Sequence, residues 1–246
     1  MRYRISLALV AIAALTAGSP VRADWTGQGE AGLVISGGNT ETETANAKLK
    51  LANEIGKWKH SFGLAGLYAS DDAGTTAQRW EAFGQSDYNF SDRTFWFGAG
   101  RYEDDKFSGF EYQATLSSGL GRKFIDTEAT QFVGTAGVGY KFFETRDAFD
   151  DAGVLVESGD NDSEVVFRGT LAFEHAFNAS TKLIDAFVTE AGSDNTYLQN
   201  DLTLQVKMTD VLALALGYSV RHNTDPPMGF KKTDTLTTVN LVYEFK

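Results

Sequence analysis

Three features of this 246-residue sequence predict an all-β chain, a transmembrane antiparallel up-and-down β-barrel of about twelve strands. Side chains alternate between apolar and polar with period two through almost the whole chain, the period of a strand whose two faces meet different surroundings. A short apolar leader precedes those runs, and no later stretch approaches the roughly 20 apolar residues that a membrane-spanning helix needs. The last run places Thr237, Val239, Leu241, Tyr243 and Phe245 on one face and Thr238, Asn240, Val242 and Glu244 on the other. An apolar outer row that finishes on aromatic rings is what seals a barrel against lipid.

Met1 to Ala23 reads as a secretory signal. Arg2 and Arg4 precede an apolar run from Ile5 to about Ala17, and Val21-Arg22-Ala23 supplies the cleavage positions. Two segments are therefore expected, a signal peptide over 1–23 and one barrel domain over 24–246. The leader holds three of the 22 basic residues and none of the 33 acidic ones, so its removal takes the formal charge from −11 to −14. That charge repels phosphate backbones and argues against a nucleic-acid partner. Zero cysteines exclude disulfides, thiol chemistry and thiolate metal sites. The composition implies no cofactor, and its 18 Phe, nine Tyr, four Trp and 25 Gly against three Pro suit a strand-rich chain.

The alternating runs start near Trp25, Thr42, Trp58, Ala77, Thr94, Phe110, Thr130, Glu164, Lys182, Thr196, Val211 and Thr233. In the first, Gly27, Gly29, Ala31, Leu33 and Ile35 oppose Gln28, Glu30, Val34 and Ser36; in the second, Ala45, Ala47, Leu49 and Leu51 oppose Thr44, Asn46, Lys48 and Lys50. The sixth sets Tyr112, Ala114, Leu116, Leu120 and Phe124 against Glu111, Gln113, Thr115, Ser117 and Lys123. An even number of runs suits a bacterial single-chain barrel.

The links between runs are expected to alternate in length. Tight ones fall at Ile55-Gly56-Lys57, Ser91-Asp92-Arg93, Asp126-Thr127-Glu128, Asn178-Ala179-Ser180 and Thr209-Asp210. Longer ones fall at Gly37 to Thr40, Asp71 to Thr76, Asp104 to Ser108, Glu144 to Asp162, Gly192 to Asn195 and His222 to Lys232. With both termini in the periplasm, the long set faces outward. A soluble barrel or sandwich also alternates, but it keeps its bulk in mid-strand. Here Trp58, Tyr68, Trp80, Tyr88, Trp96, Tyr102, Phe124, Tyr140 and Tyr243 gather near run ends, as interfacial girdles do.

The inward rows carry the candidate site residues Lys48, Lys50, Arg79, Glu81, Arg101, Glu103, Glu111, Lys141, Arg168 and Arg221. Adding Glu30, Lys59, Asp87, Lys123, Glu164, Glu174, Asp185, Asp201, Lys207 and Glu244 gives ten basic residues against ten acidic ones. A pore selective for one ion sign biases its lining, so the balance favours charge pairs that fill the lumen over a selective channel. The acidic excess is left to the loops. Between Glu144 and Asp162, Asp147, Asp150, Asp151, Glu157 and Asp160 outweigh Arg146. Asp160, Asn161 and Asp162 offer oxygens to a hard cation but lack the spacing of a calcium loop, so a solvated acidic loop without metal is the reading.

Catalysis by a Ser/His pair on the wall is the enzyme reading to weigh. His60 and His175 fall at inner run ends on the apolar row, and Ser219 points away from His222. No G-x-S-x-G or H-E-x-x-H occurs. No catalytic residue is therefore assigned, His222 being the single candidate worth testing.

Ser36-Gly37-Gly38-Asn39-Thr40, the closing block from Arg221 to Lys246 and the spacing of the whole mature chain resemble the salt-induced outer-membrane protein family, YdiY-like and of unknown function. The resemblance implies a barrel in the Gram-negative outer membrane and an association with salt or osmotic stress, and it brings no catalytic residues. The expected role is non-enzymatic, structural or a narrow passive pore, with an outer-membrane hydrolase or lipid-modifying enzyme, or a surface receptor or binding barrel, as alternatives. The expected partners are outer-membrane lipid and the barrel-assembly machinery, the latter through the strand ending at Phe245.

Overall fold

The computed structural model describes residues 25–36, 42–149, 153–227 and 230–245. The leader with its cleavage position, the Gly37 to Thr40 link, Asp150, Asp151, Met228, Gly229 and Lys246 lie outside the described residues. The strands are β1 (Trp25–Ser36), β2 (Thr42–Ile55), β3 (Trp58–Asp71), β4 (Gly74–Asn89), β5 (Thr94–Asp105), β6 (Phe110–Asp126) and β7 (Thr130–Thr145). They continue as β8 (Ala148–Phe149), β9 (Leu155–Glu157), β10 (Asn161–Ala176), β11 (Thr181–Ala191), β12 (Thr196–Lys207), β13 (Leu212–Asn223) and β14 (Thr233–Phe245).

All but β8 and β9 join one closed antiparallel barrel in the order β1-β14-β13-β12-β11-β10-β7-β6-β5-β4-β3-β2. The first and last strands pair, with Gly27 opposite Phe245 and Ala31 opposite Leu241. Closure gives every wall strand two neighbours, which is what a sheet in hydrocarbon requires of its N–H and C=O groups. No described helix is long and apolar enough to cross a membrane.

The molecule is inside out relative to a water-soluble domain. Leu116 and Phe167 are 63% and 68% exposed on the outer wall, whereas Glu103, Glu190 and Gln205 are buried in the lumen. Rings form two belts on that wall. At the short-turn end Trp58 packs on Tyr88 and Trp96, and Phe132 on Phe124 and Phe173. At the other end Tyr102 lies between Trp80 and Tyr112, and Tyr140 meets Phe142.

The structure corrects the sequence reading at four places. Phe95 and Phe97 point inward on the row of Arg101 and Glu103 and are buried, Gly121 leaving room for the Phe95 ring, so the lumen is not polar throughout. On β11 the rows are exchanged: Arg168 faces Glu190 and Phe173 faces Asp185, which turns Ile184, Ala186 and Val188 inward and Asp185 outward. Glu111 is the extra residue of a bulge between Phe110 and Tyr112, so it leaves the inward row for the rim. Asp72 and Ala73 alone link β3 to β4, because Asp71 Oδ1 accepts from the Ala73 and Gly74 N–H groups at 2.8 and 3.2 Å. The large connections are those after β7 and β13, and the first of them contains the β8-β9 hairpin.

Phe97 is fully buried and tests the lumen packing. Phe97→Ala is expected to cost about 3–5 kcal/mol by leaving a void. Urea unfolding from lipid vesicles, followed by tryptophan fluorescence, measures it.

Candidate functional site

In the half of the lumen nearer the large loops, β4 and β5 present Glu81, Arg101 and Glu103 inward at adjacent register positions, with Glu81 directly opposite Glu103. Two carboxylates so placed need cations, and the chain supplies two. Arg101 Nη2 donates to Glu103 Oε2 at 2.6 Å and to Glu81 Oε2 at 3.1 Å. The second cation arrives from across the barrel: Arg221 on β13 donates through Nη1 to Glu103 Oε2 at 2.9 Å and through Nη2 to Glu81 Oε2 at 3.4 Å. In the strand order β5 and β13 are diametrically opposed, so the Glu103–Arg221 contact spans the lumen.

Two further contacts close the same level. The Arg101 guanidinium lies over the Tyr197 ring of β12 at 5.4 Å. Glu190 on β11 takes Arg168 Nε at 3.3 Å and the Thr115 hydroxyl of β6 at 3.2 Å. The wall β4–β6 is thereby tied to the wall β11–β13. Glu103 is 3% and Arg221 8% exposed, so these groups have exchanged water for one another. Arg221 Nε and Arg168 Nη1 are buried without a hydrogen-bond partner among the described residues.

The remaining candidates are placed differently. Arg79 pairs with Asp105 at 4.0 Å, and Glu111 takes Arg146 Nη1 at 2.8 Å on the rim. Lys48 and Lys50 stand opposite Glu30 and Gln28, and neither forms an ion pair among the described residues. Lys141 is buried between the rings of Phe110 and Phe143. Near the short turns Glu244 lies 3.8 Å from both Lys182 and Lys207. Sequence reasoning missed Glu190 and Tyr197. Glu190 shares the parity of Lys182 across β11, which is the signal that finds it.

Each histidine touches a hydroxyl of the neighbouring strand at 2.8 Å: His60 with Ser86, His175 with Thr130 and His222 with Thr233. The Ser/His pair is thus at His60, not His222, and its ring stacks on Trp58 at 5.9 Å. The same arrangement with threonine at two other strand ends fits interfacial satisfaction of the imidazole. Among the described residues no group of three or more metal-ligating side chains occurs. Asp160 Oδ1 and Asp162 Oδ1 accept instead from the next residue's N–H, at 2.8 and 2.6 Å.

A family model described as a protein of unknown function, DUF481, matches residues 29–245. The uncharacterized protein YdiY of Escherichia coli (strain K12) is 25% identical over 217 residues, 87% of this chain and 80% of that protein. Among solved structures the NanC porin superposes with a TM-score of 0.51 at 12% identity, over 90% of this chain and 99% of that one. The translocator domain of the autotransporter NalP from Neisseria meningitidis has the same score and identity, over 90% and 87%. These two likenesses establish a fold of the outer-membrane barrel type.

Removing Glu103 leaves two buried guanidiniums sharing Glu81. Glu103→Gln is expected to cost about 3 kcal/mol, and Glu103→Gln with Arg221→Met less than the sum of the single changes. A double-mutant cycle of urea midpoints checks both.

Proposed function

The chain belongs to the DUF481 family of unknown function, and from that premise we propose a non-enzymatic outer-membrane barrel of the cell envelope whose lumen is shut at rest. The Glu103–Arg221 contact across the full width of the barrel carries the proposal, since an open pore would leave these side chains hydrated on separate walls. The apolar outer wall and its two ring belts support residence in lipid, with the short turns and both termini on the periplasmic side. Phe245, paired with Gly27 at the seam, is the end that the assembly machinery would read. The role is structural, with a narrow passive pore as its opened form. The salt association implied by the family resemblance becomes a condition to test. Exposed pairs such as Lys59–Glu54 weaken with ionic strength, whereas the buried bridge is screened far less.

Planar-bilayer recording decides between shut and open. Wild-type protein is expected to be silent or nearly so, and Glu103→Ala with Arg221→Ala to show clear conductance steps, at least about threefold larger than any the wild type gives. Wild-type steps as large as those of the double variant would sink the proposal. The hydrolase alternative rests on His60 and Ser86; lipid turnover by purified protein that vanished on Ser86→Ala would replace the structural reading.

A further inference from the structure

Above the charge bridge, at the end of the large loops, the barrel opens into a cavity of 630 Å³. Its wall is acidic, with Asp147, Asp162, Glu164, Asp194 and Asp225 against Lys141 and Arg146. Several of these charges are already engaged. Asp147 Oδ1 accepts from Gly159 N–H at 2.8 Å, and Arg146 donates to Glu111 Oε1 at 2.8 Å and to the Phe110 carbonyl at 3.0 Å. Glu164 stands directly across the β7–β10 ladder from Lys141, yet its Oε2 takes the Ser193 N–H at 2.9 Å.

Lys141 makes no such contact. The residue is 4% exposed and lines the cavity. Its ammonium sits 5.6 and 5.4 Å from the ring centroids of Phe110 and Phe143. Ring faces attract the charge but accept N–H bonds poorly. Among the described residues no oxygen lies within hydrogen-bond or ion-pair distance of this ammonium, and the Glu190 and Glu164 carboxylates act on it only from farther off, so a buried cation with three donors lines the void.

We propose that this cavity binds a short basic peptide, carboxylate first: its C-terminal carboxylate reaches Lys141 while its cationic side chains rest among the acidic residues of the mouth. A simple anion would be repelled by the wall, and a simple cation would leave Lys141 without an acceptor. Only a ligand carrying both signs, negative end inward, satisfies both. The volume falls in the range of roughly 300–1,000 Å³ usual for ligand pockets, which suits a few residues better than a single amino acid.

Calorimetric titration of the folded protein in detergent at low salt tests this with two probes, tri-lysine with a free carboxylate and its C-terminal amide. The free acid is expected to bind at least about tenfold more tightly than the amide, the scale of one buried charge pair. In Lys141→Gln that ratio is expected to collapse to about one with weak binding of both peptides retained. Asp194→Asn with Asp225→Asn, both in loops, is expected to weaken both peptides and leave the ratio standing. Equal binding of acid and amide to the wild type, a ratio that survives Lys141→Gln, or no binding of either peptide would each overturn the proposal. The wild-type comparison and the loop variant decide the matter even if Lys141→Gln fails to fold.

Discussion

A carboxylate held at 3% exposure inside a membrane barrel has to be neutralised in place, and most of the interior follows from how Glu103 meets that demand. Arg101 alone, two residues along the same strand, is shared with Glu81. Full compensation needs Arg221, which the strand order puts on the opposite wall. Drawing β5 and β13 within reach of one contact means that the barrel cannot be wide there. Open space is displaced toward the mouth, where the 630 Å³ cavity lies beside β7 and β10. Pro227 and Phe230 line the same mouth and pack on Gly109 so closely that they leave no room for a side chain there, and its φ of +81° is one that glycine adopts freely. Closure is therefore a property of charge pairing and loop packing together.

The wall was largely legible because lipid imposes one simple rule on it. Every strand must show an apolar row outward, and that rule yields the start of β1, β2, β3, β5, β6, β7, β12 and β14 at the positions read from alternation alone. Where local hydrogen bonding competes, the reading drifts: the Asp71 side chain organises a two-residue link, and β4 begins at Gly74 rather than near Ala77. The bulge at Glu111 is invisible to parity because one extra residue moves Phe110 inward and Glu111 outward without changing the composition.

The interior was legible only as a list of charges. Which charge meets which depends on barrel closure, and Glu103 and Arg221 are separated by 118 positions. No periodicity carries that information. Nor does it reveal Phe97, since an aromatic on the polar row looks like noise until the opposite wall is in place to bury it. Tyr197 escaped for the same reason: its ring matters because Arg101 lies over it from five strands away around the barrel.

β11 shows what the inward charges contribute beyond filling space. Its middle gives little facial instruction, because Ile184, Ala186 and Val188 are no more polar than Leu183, Phe187 and Thr189, and Asp185 sits on the outer side bonded to Asn200 at 2.8 Å. A slip of one residue would reverse the strand at small cost in apolar matching. What opposes the slip lies at its two ends, where Glu190 meets Arg168 at 3.3 Å and Lys182 meets Glu174 at 3.5 Å, both on β10. Reversal would turn both charges into lipid and orphan both partners. Replacing such pairs by apolar groups can leave stability unchanged, but it would remove the signal that tells this strand which face is inward.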